Sequence, residues 1–197
     1  MKHSLHTGLF SPVKSLLSGL LLCAALVPHA SAHLMVAQRG TINIVGDGAF
    51  MVLSLPVSAF HNVDDDGDKK LSRAEFSKHR AALVMAVNEK VKLFEKDALR
   101  PLQGMILSPV TPHNNPFASA SQVVVMGRYQ LEEMNSQLKF HLGLFGESPE
   151  EQAQEISFSH PDKSLNKKVI LTPKLLNTAL FPRSLKTTAD VKKPLEL

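Results

Sequence analysis

The stretch VDDDGDKKLSRAEF, residues 63–76, spaces its oxygen-bearing residues as a hard divalent cation would need them. Ca²⁺ takes six to eight oxygens, and a twelve-residue loop can supply them from positions 1, 3, 5, 7, 9 and 12. With Asp64 at position 1, Asp66 falls at 3, Asp68 at 5, Lys70 at 7, Ser72 at 9 and Glu75 at 12. Position 7 lends only its backbone carbonyl, so Lys70 is tolerated there. Position 9 often works through a water, which suits Ser72, and position 12 calls for a bidentate Glu. Leu71 falls at position 8 and is expected to pack inward. The competing reading is a solvated acidic turn in which Glu75 only caps the next helix. The complete D-x-D-x-D…E spacing favours the metal.

One position departs from the pattern. Position 6 makes a sharp turn with φ > 0 and normally holds glycine, yet Lys69 occupies it. An L-residue in the left-handed region costs about 1–2 kcal/mol, which weakens an affinity roughly three- to thirtyfold. Lys69 and Lys70 add two screened positive charges, while Asp65 adds a negative charge beside the four ligand carboxylates. Like charges gathered in one loop repel, and a cation relieves them. The expectation is a weakened but working site, with Kd of about 10⁻⁴–10⁻³ M.

The elements that would position this loop are legible on both sides of it. Thr41–Val45 and Ala49–Leu55 are β-rich runs joined by Gly46-Asp47-Gly48, a hairpin signal. The second run is apolar on both faces and should be a central strand, ended by Pro56. After the loop, Ser72 and Glu75 form a capping box that opens a helix. Its apolar face carries Phe76, Leu83, Val84 and Val87, opposite Lys78 and Glu89, and Asn88 is the expected stop. Further strands are expected at Val91–Glu95, Gln103–Leu107, Gln122–Leu131, Gln137–Phe145, Glu155–His160 and Lys168–Leu171. Leu138, Phe140, Leu142 and Leu144 alternate with Lys139, His141 and Gly143, the pattern of a half-buried strand. Ser108–Ser121, with three prolines and two asparagines, reads as a long surface loop. The sum is a mainly β domain with one helix, an antiparallel β-sandwich-like domain carrying a strand–loop–helix insertion. Because a strand precedes the loop, and no second loop follows, a helix-pair switch is not expected.

Residues 1–32 read as a secretory signal peptide: Lys2 and Lys14, an apolar run from Leu16 to Val27, then Ala30-Ser31-Ala32 as a cleavage site. The run is too short to span a membrane. Leu22 before Cys23 argues against lipid attachment. The expected mature chain starts at His33 and forms one domain over 33–181, followed by a polar, basic tail over 182–197. Losing the leader's two lysines lowers the net charge from +4 to +2. Nucleic-acid binding is therefore not indicated. Cys23 is the only cysteine, so the expected periplasmic or secreted protein has no disulfide and relies on its core or a bound metal.

The segment HLMVAQRGTINIVGDGAFMVLSLPVSAF followed by VDDDGDKKLSRAEF, residues 33 to about 90, resembles exported bacterial single EF-hand domain proteins. It is also similar to the extracytoplasmic part ahead of the membrane region in some HupE/UreJ-type putative metal transporters. The resemblance implies calcium binding by Asp64, Asp66, Asp68, the Lys70 carbonyl, Ser72 and Glu75.

A second metal reading starts from His33. Its α-amino group and imidazole could chelate Cu²⁺ or Ni²⁺ together, with His61, His79, His113, His141 and His160 as further ligands by residue type. This would make the protein a periplasmic copper- or nickel-handling accessory protein. The methionines are dispersed, and core packing accounts for Met51, Met85 and Met126. No G-x-S-x-G, H-E-x-x-H or Walker motif occurs, so an enzyme is not expected. The sheet surfaces leave room for a protein partner that no motif identifies.

Overall fold

A computed structural model describes residues 37–180, apart from 113 and 134–136. The proposed signal peptide, His33, His113 and the C-terminal tail lie outside the described residues. Among the described residues ten strands and one α-helix follow one another: β1 (Arg39–Val45), β2 (Gly48–Pro56), α1 (Arg73–Lys90), β3 (Val91–Glu95), β4 (Ala98–Arg100), β5 (Leu102–Val110), β6 (Gln122–Gln130), β7 (Leu138–Leu142), β8 (Gln154–Ser159), β9 (Lys167–Leu171) and β10 (Asn177–Ala179). They form a six-stranded sheet, in the order β5-β6-β2-β1-β8-β9, and a four-stranded sheet, β10-β7-β3-β4.

The β1–β2 hairpin closes through Gly46, whose φ of +58° suits glycine, and pairs Val45 with Gly48. β2 lies between β1 and β6, as its two apolar faces require. Ala49, Met51, Leu53 and Leu55 line its inner face, and Ser54 is buried on the other. On the opposing sheet Leu138, Phe140 and Leu142 point inward from β7, and Leu144 extends the alternation. The Phe140 and Phe158 rings meet edge to face, with centroids 6.1 Å apart, joining the two sheets in one core.

Several expectations need correction. The mainly β, sandwich-like class with one helix is as expected and the sheets are antiparallel-rich, but β1 runs parallel to β8 from Arg39↔Glu155 to Asn43↔Ser159. Asn88 does not stop the helix. α1 runs two residues further and passes directly into β3, the Val91 N–H bonding to the Val87 carbonyl while its own φ turns extended. The expected loop from Ser108 begins as strand, because β5 continues to Val110. As an edge strand it accommodates Pro109, whose missing N–H costs no ladder bond on the open side. β4 and β10, of three residues each, carry too little pattern to be foreseen. Met51 is a core residue, but Met85 is 65% exposed on the outer face of α1.

Candidate metal centre

β2 delivers the chain to the acidic loop through a 3₁₀ turn at Val57–Ala59. Phe60 and Val63 are buried and anchor the approach. The loop then coils around its own aspartates. Asp64 accepts two backbone N–H groups, from Gly67 on Oδ1 and from Lys69 on Oδ2, both at 2.8 Å. Asp66 accepts the Asp68 N–H at 3.2 Å, and Asp68 accepts the Lys70 N–H at 2.7 Å. The Asp66 and Asp68 bonds, two residues on, are short side-chain turns of the kind aspartate favours. The result brings one carboxylate oxygen of each of Asp64, Asp66 and Asp68 within 4.8 Å of the others. Among the described residues this is the one convergence of three or more His, Cys, Asp or Glu side chains with metal-holding spacing. Position 6 is left-handed, Lys69 having φ +61°, and Gly67 two residues earlier has φ +76°.

The exit from the loop is built by the other two side chains. Ser72 Oγ accepts the Glu75 N–H at 3.2 Å, and Glu75 Oε2 accepts the Ser72 N–H at 2.8 Å, which completes the capping box. Glu75 Oε1 accepts the Asp65 N–H at 2.8 Å. Glu75, buried, thus ties the start of the loop to its end, and it stands outside the three-aspartate cluster. A carboxylate oxygen has two lone pairs, so a cation and an N–H can share one. Lys70 has an exposed side chain and reaches the loop only through its backbone.

The electrostatics follow this division. Asp66 is raised from its ordinary value. The backbone hydrogen bond from Asp68 pulls it down, but desolvation, the Asp68 charge, the Asp64 side chain and the Glu75 charge together outweigh that. Glu75 is held below its ordinary value by hydrogen bonds from the Ser72 side chain and the Asp65 and Ser72 backbones. Asp65 is lowered by Lys78 at 2.7 Å and His79 at 3.0 Å, so it faces α1 rather than the cluster.

Two neighbours that carry no local sequence signal hold the loop to the sheets. Leu71, buried, exchanges both backbone hydrogen bonds with Ala120, just ahead of β6, at 2.8 and 2.9 Å. Lys69 Nζ lies 3.3 Å from Glu147 Oε2 in the β7–β8 connection. Asp64, Gly67, Lys69 and Glu147 share the wall of a hollow of about 340 Å³ with Ser58 and His61, over a floor that includes Val57 and Phe60. The other described histidines are dispersed: His79 pairs with Asp65, His141 with Asn177 at 2.9 Å, and His160 accepts the Asp162 N–H at 3.0 Å.

Fold and loop together define a mainly β, two-sheet domain with an acidic strand–loop–helix element. No family model matches the chain, and no curated protein matches it. Among the described residues no helix is long and apolar enough to cross a membrane.

Proposed function

We propose that this chain is an exported calcium-binding module with one degenerate EF-hand loop, working in the periplasm or outside the cell. Asp64, Asp66, Asp68, the Lys70 carbonyl, Ser72 and Glu75 would hold the ion, and no catalysis is part of this reading. The observation that carries it is the convergence of the three aspartate oxygens in a loop whose sixth position is left-handed. The raised Asp66 supports it, because a carboxylate unsettled by its neighbours gains most from a cation. We also read residues 33 to about 90 as resembling exported single EF-hand domain proteins, which belongs to the same proposal. The ion's role is structural. Leu71 and Ala120 fasten the loop to the β-sheet, and the loop leads directly into α1, so binding stabilises the fold rather than opening a helix pair.

Thermal unfolding after EDTA treatment, with and without about 5 mM CaCl₂, tests the proposal. With the Kd above, linkage supplies about 1–2 kcal/mol, or roughly 2–8 °C in Tm. Asp66→Asn should remove most of that shift while leaving the EDTA-treated protein folded, since Asp66 is exposed and accepts a single long loop bond. A wild-type Tm indifferent to calcium, or an undiminished shift in the variant, would sink the proposal.

A further inference from the structure

Resting on the calcium reading, we propose that the β7–β8 connection responds to the ion, and that Glu147 is a positioning residue setting the loop's affinity. Lys69 sits at the loop's left-handed corner and joins two negative groups: its backbone N–H bonds to Asp64 of the aspartate cluster, and its ammonium pairs with Glu147. An ion on the cluster neutralises the first and repels the ammonium, which strengthens the pairing with Glu147.

Glu147 is not a loose end. Ser58 Oγ accepts its N–H at 3.3 Å and donates to Glu151 Oε2 at 2.7 Å. That same Glu151 oxygen accepts the Ser148 N–H at 3.3 Å, and the Gly146 N–H bonds to the Glu151 carbonyl at 3.1 Å. Ser58 lies in the 3₁₀ turn that feeds the loop. The connection is therefore gripped at both edges of the hollow, by the turn before Asp64 and by Lys69 within the loop. Ordering the loop with an ion orders the 146–151 segment, and by reciprocity anything that frees the segment weakens the ion.

The pair is exposed on both sides, 71% and 61%, so its effect is small. Glu147→Gln should raise the calcium Kd about two- to fivefold. Calorimetric titration of the purified protein and of Glu147→Gln, Lys69→Met and the double variant reads this directly. Hydrogen exchange with and without about 5 mM CaCl₂ reads the segment. The expected result is slower exchange at 146–151 in calcium, lost in Glu147→Gln, with no effect of Glu147→Gln on Kd once Lys69 is methionine. Slowing confined to residues 64–75, or a Kd indifferent to Glu147, overturns the inference and leaves calcium binding standing. Absence of binding heat together with unchanged exchange at 64–75 overturns both.

Discussion

Replacing Glu75 with glutamine separates two jobs that one carboxylate performs. Its oxygens accept the Asp65 and Ser72 N–H groups, both at 2.8 Å, in a residue only 7% exposed. The glutamine amide keeps one acceptor and turns the other into a donor. One backbone N–H then faces an NH₂ group and is left without a partner, at about 1–3 kcal/mol. At about 2–4 °C per kcal/mol for a domain of this size, Tm in EDTA should fall by roughly 3–10 °C. The second effect follows from the proposed calcium site: with the proposed bidentate ligand gone, the calcium-induced rise of roughly 2–8 °C should vanish. Melts followed by circular dichroism, for each variant in EDTA and in calcium, give both numbers. Ser72→Ala is the control. It removes the other half of the capping box at about 1 kcal/mol and should keep a substantial calcium response, because position 9 often works through water. An unchanged Tm for Glu75→Gln in EDTA would refute the argument that the carboxylate clasps the loop. A preserved calcium response would refute its role as a ligand.

Three other outcomes follow from the same geometry. Lys69→Gly relieves a left-handed lysine but gives up the Glu147 pair and adds chain entropy; these terms nearly cancel in EDTA, whereas removing a positive charge from the loop should tighten the calcium Kd, read by titration, about threefold. The acid limb of stability should begin below about pH 4.5, the ordinary value for Glu75. Glu75 and Asp65, held low, contribute stability above their ordinary values that is lost as pH falls through their lowered ones, while Asp66 works in the opposite sense; melts between about pH 3 and pH 6 in EDTA should show a net loss, blunted in Glu75→Gln. Gly40→Ala would press a Cβ into the Leu53 and Ile156 side chains on either side of β1, and denaturant unfolding should show a loss of about 1–3 kcal/mol.

What could be read ahead of the structure was whatever is written in neighbouring residues. The apolar faces of β2, the alternation from Leu138 to Leu144, the Ser72–Glu75 box and the left-handed corner at Lys69 are all local patterns, and each is present. What escaped depends on distant chain. No local feature of Leu71 announces Ala120, and none of Lys69 announces Glu147. Asp65 looked like spare charge, yet Lys78 and His79, a helical turn apart from Glu75 in α1, give it a structural post. Met85 was misplaced because methionine is at home in cores and on surfaces alike, and only the packing of α1 decides. The parallel β1–β8 pairing was invisible because hydrophobic alternation reports faces, not strand direction.

That parallel pair also dictates a timetable. β1 is the first strand among the described residues, and β2 pairs with it directly through the Gly46 hairpin. Its other neighbour is made roughly a hundred residues later, when Glu155 comes to lie beside Arg39. Until then β1 keeps one edge open in the middle of what will become a six-stranded sheet, and β9 has nothing to add to. Completion of the larger sheet therefore waits on the C-terminal third, a non-local pairing of the kind that slows folding.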